Sequence, residues 1–366
     1  MSVASQSCDD ADHAGLHKDG ASSGDGGSKY ALRLLATLAR DKENVFVSPL
    51  SLGMALGMAE AGATEGSAHE AALRRFGSAH GATDGLVVAN SVWTRASVLP
   101  SYKTLVAEKF GAESKAMPSS AAPINAWVSE KTRGLIGNVV GDDIVRNPLT
   151  KAILLNAIYF KGTWAKKFNA DRSKTGPFAA PSGRKDVVMM RQVGKFPTAD
   201  VPGVGTAVAL PYVEGDLRML LILPEAPHLA GARALAGGLA DAWDELRSTR
   251  ASRKIDLMLP KFQIDSGVME LLPILADDFG LAVIRDVDGG FLKMAEDPRL
   301  HVDSVVQRAF VSVDEEGTKA AAATAVGMMM RSARPPRKIH FDRPFLFVIE
   351  NAKTGDIAFA GLLADP

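Results

Sequence analysis

The chain has seven histidines, His13, His17, His69, His80, His228, His301 and His340, and none stands at metal-ligand spacing from another. It has no Gly-x-Ser-x-Gly elbow and no phosphate-binding glycine motif. A metal, a cofactor and a catalytic constellation are therefore not expected, and neither is an enzyme. The chemistry on offer is that of a peptide bond, Arg331–Ser332. An arginine guanidinium pairs bidentately with a carboxylate, and trypsin-like proteases place a carboxylate at the base of their specificity pocket. Arg331 is thus the candidate primary specificity residue and Ser332 the first residue of the leaving side. Arg334 is the alternative cleavage position. Met328, Met329 and Met330 are adaptable enough to fill neighbouring apolar subsites, and read alone they fit a core equally well. Alone, Arg331 would be one of several solvated cations beside Arg334, Arg337 and Lys338; the residues upstream change that reading.

From Gly317 to Ala325 only Lys319 carries a long side chain. Four alanines, Ala320, Ala321, Ala322 and Ala323, favour helix by propensity, but no periodic apolar face surrounds them to bury one. The loop also lacks the usual turn residues. The composition makes sense if the segment serves as an exposed loop in one state and as an added strand in another. Strand alternation then points Thr318, Ala320, Ala322 and Thr324 one way. Lys319, Ala321, Ala323 and Ala325 point the other. The first set is small enough to enter beneath a packed sheet without overpacking it, and the second leaves Lys319 in water.

The rest of the chain must position that segment. Its charge balances at 42 basic and 42 acidic residues, so whole-molecule charge gives no case for nucleic acid, membrane or acidic substrates. The one cysteine, Cys8, rules out an intrachain disulfide. Residues 1–27 lack an apolar signal region and read as a disordered tail. A cytoplasmic protein is expected, and residues 28–366 read as one domain without internal repeats. Helices are predicted at about 28–40, after Ser48-Pro49, at 124–136 and at 268–279. Ala152 to Phe160 reads as a central strand, and 207–212 with 217–223 and 343–350 with 357–363 read as hairpins. Strands and helices mix without a regular βαβ beat, which predicts an α+β fold.

Six segments in order resemble the serpins, and the plant branch in particular. They are Asn44-Val-Phe-Val-Ser-Pro-Leu-Ser51, Ile124-Asn-Ala-Trp-Val-Ser-Glu-Lys-Thr-Arg-Gly-Leu-Ile136, Leu155-Asn-Ala-Ile-Tyr-Phe-Lys-Gly-Thr-Trp164, Leu259-Pro-Lys-Phe262, Glu315-Glu-Gly-Thr318 with its alanine-rich hinge, and Arg343-Pro-Phe-Leu-Phe347. The resemblance implies a large, mostly antiparallel central sheet, further sheets, surrounding helices and a reactive-centre loop at about 315–338. It also implies a monomeric suicide inhibitor of Arg-specific proteases, chiefly serine enzymes, held in a covalent 1:1 complex. The alternatives are an inhibitor of Arg-specific cysteine proteases and a non-inhibitory carrier, interaction protein or protease substrate. Plant serpins also occur in extracellular fluid, so the extracellular space is a second expected location.

By the same resemblance Ser48, Ser51 and Asn156 match a polar shutter beneath the sheet. Gln307 stands in that cluster where many members have His. Lys261 and Glu315 match a pair that holds the sheet shut at its top, and Trp164 matches a residue at the entry point. The intervals at 76–87 and 117–123 are short for the family. A polyanion cofactor at the helix missing from the first interval is not expected.

Overall fold

The computed structural model describes residues 23–76, 85–214, 216–248, 251–318 and 335–366. Its first half runs α1 (Ser23–Ala39), β1 (Val45–Val47), α2 (Pro49–Gly62), α3 (Ala68–Arg74), β2 (Leu86–Thr94), α4 (Pro100–Phe110), β3 (Glu113–Ala116), α5 (Ala122–Lys131), α6 (Asp142–Arg146), β4 (Ala152–Phe160) and β5 (Gly162–Thr163). The second half runs β6 (Lys174–Ala180), β7 (Gly183–Val201), β8 (Gly205–Pro211), β9 (Leu217–Pro224), α7 (His228–Arg247), β10 (Ala251–Pro260), β11 (Phe262–Asp265), β12 (Met269–Glu270), α8 (Leu272–Phe279), β13 (Ser304–Val313), β14 (Gly317–Thr318), β15 (Arg337–His340), β16 (Phe345–Asn351) and β17 (Ile357–Leu363).

Three predicted boundaries move. Helix α1 starts at Ser23, inside the stretch assigned to the tail, because the polar turn before Ala31 carries no apolar period to announce it. Helix α5 stops at Lys131 rather than Ile136. Arg133 and Gly134 both take positive φ, and the Thr132 hydroxyl, which donates to Val128 O at 2.8 Å, caps the exit. The stretch predicted as helix from 268 instead pairs Met269 and Glu270 with β13, and helix begins at Leu272 with Pro273 in its first turn.

Among the described residues the strands form two sheets. The main sheet has the order β3-β2-β4-β13, with β11 and β12 on the outer edge of β13 and β14-β5 at one end. The second runs β1-β17-β16-β9-β8-β7-β10-β15, with β6 on β7. Strand β4 is buried at all nine positions, as a strand covered on both faces should be. Its alternation assigns the covers. Leu154, Ile158 and Phe160 join the core around α2, whereas Ile153, Leu155 and Ala157 pack with Ile124, Trp127 and Val128 of α5.

Helix α2 is apolar nearly all round and lies against both β4 and β17. Ser48 caps it by accepting from Ser51 N at 3.2 Å, and Pro49 occupies the first turn, as the sequence predicts. One face of the main sheet thus rests on a buried helix, and the other is crossed by a shorter one.

Candidate functional site

Residues 319–334 fall outside the described residues. So do the predicted scissile bond Arg331–Ser332, its alternative Arg334, the subsite residues Met328, Met329 and Met330, and the hinge residues Ala320, Ala321, Ala322, Ala323 and Thr324. What the structure places is the pair of anchors. The segment leaves from Thr318 on β14 and re-enters at Pro335 ahead of β15, which runs parallel to β10 at the edge of the second sheet.

At the first anchor the chain reverses after Val313. The Asp314 carboxylate accepts from Glu316 N at 2.9 Å and from Gly317 N at 3.3 Å, which closes a tight turn. Gly317 has a φ of +147°, a conformation that side chains avoid. A Cβ there would also run into the backbone of Gly162 and Thr163. Thr318 is fully buried, and its hydroxyl shares a 2.9 Å hydrogen bond with the Tyr212 phenol. Burial pushes the titration of that phenol far up, so Tyr212 stays neutral. Tyr212 in turn stacks on Trp164, with centroids 4.4 Å apart. The Trp164 indole donates to Asp314 O at 2.9 Å, and its backbone N donates to Glu316 O at 2.9 Å.

The acidic pair is held from two sides. The Lys261 ammonium lies 2.5 Å from Glu315, which also accepts from the Ser173 hydroxyl at 2.6 Å. Lys167 holds Glu316 at 2.5 Å. Burial opposes charge on Glu315, but the hydrogen bonds from Lys261 and Ser173 outweigh it and hold its carboxyl below the usual glutamate range. The structure therefore brings Lys261, Glu315, Trp164, Gly317 and Thr318 together.

Strand direction gives this corner its meaning. Strands β4 and β13 pair in parallel from Ile153↔Ser304 to Tyr159↔Phe310. Strand β14 is antiparallel to β13, through Val313↔Thr318, and antiparallel to β5, which continues the chain just past β4. Two residues thus sit wedged between the two lines of chain at the top of the seam. Below them the seam is closed. A strand continued in line from Thr318 would run between β4 and β13, antiparallel to both.

Midway down the seam, Asn90, Asn156 and Gln307 stand in one cross-strand row on β2, β4 and β13. Gln307 clamps the start of α2. Its carbonyl accepts from Ser48 N and its amide donates to Ser48 O, both at 2.9 Å. The Ser48 hydroxyl donates to Ala358 O at 2.7 Å. Asn156 turns the other way and donates to Asn90 Oδ1 at 2.5 Å; Asn90 donates to Phe110 O at 3.0 Å. The polar row therefore divides into two pairs, with the seam between them. Among the described residues, Ser51 Oγ and Asn156 Oδ1 are buried without a hydrogen-bond partner.

Sequence reasoning missed Asn90, Tyr212, Ser173 and Lys167. Asn90 alone had a signal, as an amide within an otherwise apolar strand. Among the described residues no cluster of His, Cys, Asp or Glu is suited to a metal ion.

The family model described as Serpin (serine protease inhibitor) matches residues 25–366. The leukocyte elastase inhibitor of Xenopus tropicalis is 32% identical, over 88% of this chain and 93% of that protein. Among solved structures, Serpin48 of the insect Tenebrio molitor superposes with a TM-score of 0.83 at 25% identity, covering 96% of this chain and 100% of that one. Arabidopsis AtSerpin1, in its native stressed conformation, gives 0.79 at 26% identity, covering 94% and 98%. A mixed main sheet with a two-residue wedge at the top of a parallel seam defines a serpin-type fold. The chain belongs to the serpin family, whose members are in general protease inhibitors. Insect and plant structures match at nearly the same identity, so these likenesses show the family and not a branch of it.

Proposed function

We propose that this chain inhibits Arg-specific, trypsin-like serine proteases by trapping them as a covalent 1:1 complex. The observation that carries the reading is the seat of Gly317–Thr318 between β13 and the continuation of β4. The attacking serine forms an ester to the Arg331 carbonyl carbon, the Arg331–Ser332 bond breaks, and the new amine of Ser332 departs with a proton. The freed hinge then lengthens β14 down the seam. Arg331 is the fourteenth residue after Gly317, and fourteen steps at ~3.3 Å each carry the ester roughly 46 Å. About a dozen new ladder hydrogen bonds at ~1 kcal/mol net release on the order of 10 kcal/mol. Antiparallel ladders also replace a parallel one, which is slightly less stable per residue.

The register of β14 supports the same reading. Continued by antiparallel pairing from Val313↔Thr318 and Thr318↔Gly162, it sets Ala320 opposite Val311. Thr324 then falls opposite Gln307 on one side and Asn156 on the other, the two residues that already face each other across the seam. The Thr324 hydroxyl would arrive beside the unpartnered Asn156 carbonyl. Small residues meet the core side from Thr318 as far as Thr324.

The test is to mix the protein with trypsin at equal molarity and run a denaturing gel. The expected result is a boiling-resistant band near the summed masses, with a released fragment beginning at Ser332 by mass spectrometry. Cleavage without that band would overturn trapping, and a fragment beginning after Arg334 would move the reactive bond.

A further inference from the structure

The β4–β13 seam has a third set of contacts, at its foot. The parallel register that pairs Ser304 with Ile153 brings Asp303 level with Ala152, and Asp303 N donates to Ala152 O at 3.1 Å. The Asp303 side chain then reaches across to the other strand. Its Oδ2 accepts from Lys151 N at 2.6 Å and from Ala152 N at 3.1 Å. The His301 ring braces the same carboxylate, with Nε2 2.9 Å from Oδ1 and Nδ1 2.9 Å from Arg299 O. Only 20% of the Asp303 side chain and 16% of the His301 side chain is exposed, so water does little to replace these bonds as they part.

This is the reverse of the middle of the seam. There Asn156 and Gln307 make their hydrogen bonds away from each other, and parting the strands breaks neither set. At the foot one carboxylate ties the strands together, and bonds to a charged acceptor are stronger than neutral ones. A groove lined by Ile144, Leu149, Thr150 and Leu272 opens beside Asp303, and Leu149 is 72% exposed. The foot is thus closed by polar bonds next to an open groove, not by a packed plug.

The register that seats Thr318 fixes where an inserting strand would meet these bonds. Counted from Val313↔Thr318 and Thr318↔Gly162, Gly327 falls opposite Ser304 and Ile153, and Met328 opposite Asp303 and Ala152. Residues as far as Gly327 enter above the Asp303 bonds, whereas Met328 needs the place they hold. Arg331 lies three residues further on. We propose that Asp303 is the bolt of the seam: it ties the strands at the foot, arrests an inserting strand after Gly327, and so sets how many molecules are cleaved for each protease trapped. The inference rests on the inhibitory reading above. While the strand waits, water attacks the ester at the Arg331 carbonyl carbon, which leaves a free Arg331 carboxylate and returns the proton to the protease serine. Earlier release of Asp303 favours trapping.

The test offers two synthetic peptides, residues 318–327 and residues 318–331, to the uncleaved full chain and follows their uptake on native gels. Asp303→Ala should speed uptake of the longer peptide about tenfold and leave the shorter one within about twofold of the parent. Asp303→Asn keeps an acceptor oxygen for the two N–H groups and should lie between the parent and Asp303→Ala, which provides the reading if the alanine variant does not fold. Equal acceleration of both peptides would overturn the bolt, because a sheet loosened throughout does not distinguish their lengths. Acceleration of neither would overturn it as well. Against trypsin, Asp303→Ala should lower the number of molecules cleaved per protease trapped, and an unchanged number would overturn the control of partition. Peptide uptake requires no protease, so a parent chain that is cleaved without trapping counts against the inhibitory reading and leaves the bolt to stand or fall on the uptake.

Discussion

The β4–β13 seam and the β9–β16–β17 stack are both buried interiors of sheets, built to opposite ends. In the stack every pairing is antiparallel, and Phe46, Phe347 and Phe359 lie face to face at centroid distances of 5.0 to 5.9 Å. The charge at its end, Glu350, is fully buried and bonded by Arg218 at 2.6 Å. In the seam the pairing is parallel, the middle is polar, and Asn156 and Gln307 on either side make their hydrogen bonds away from each other. The closing contacts at the top are ion pairs partly open to solvent. On the proposed mechanism, the protein keeps the part that must not yield apart from the part that must.

The sharpest way to break that comparison is Thr318→Arg. The side chain is fully buried and faces Tyr212, so a guanidinium there cannot follow β14 into the seam. The expected outcome is loss of the covalent band and a rise of more than tenfold in molecules cleaved per protease inhibited. The fold should survive, because only two residues of β14 lose their seat. Trapping at the parent level would show that the wedge is not on the path.

The complementary substitution strikes the stack. Phe347→Ala removes a ring packed against Phe46, Phe262 and Phe345 and should cost about 3–5 kcal/mol of unfolding free energy in denaturant. The ratio of trapped to cleaved molecules among the folded population should stay within about twofold of the parent. A large change in that ratio would mean that the two regions are mechanically coupled.

Gln307→Leu tests the middle of the seam. It removes both hydrogen bonds to Ser48 and leaves a buried backbone N–H and carbonyl without a side-chain partner, for about 2 kcal/mol in the uncleaved chain. An unchanged denaturation midpoint would show that the clamp on α2 holds nothing.

How far these regions were legible depended on whether burial left a local mark. Ala152–Phe160 and Ile357–Leu363 came out to the residue because both strands are almost wholly apolar, with Asn156 the one polar side chain, and are covered on both faces. The α5 exit did not, because two left-handed residues end the helix where the apolar spacing continues. Lys261, Glu315 and Trp164 were legible through family resemblance alone, and the structure supplies their contacts. That resemblance could not say that Gln307 would clamp Ser48 while Asn156 turned to Asn90. Partner choice within a polar row is set by which strand faces which helix, and no local spacing encodes it.

The smallest expected effect belongs to Glu315. Its carboxyl titrates below the usual glutamate range in the folded chain, so the folded state binds fewer protons than the unfolded one. Its contribution is therefore fully present above the ordinary glutamate value of about 4.3. It is lost as pH falls through the depressed folded value. The top of the seam should loosen in that acid window, read as faster uptake of a synthetic peptide spanning residues 318–331. Other carboxylates also sit below their usual range, Asp256 and Asp265 among them, so acid alone does not isolate this contact. Glu315→Gln does. It should take up peptide faster at pH 7, by roughly fivefold at most given that Lys261 is partly exposed, and it should flatten the acid dependence. A variant as slow as the parent at pH 7 would place the closing force elsewhere in the corner, with Lys167–Glu316 and the Trp164 contacts the next to break.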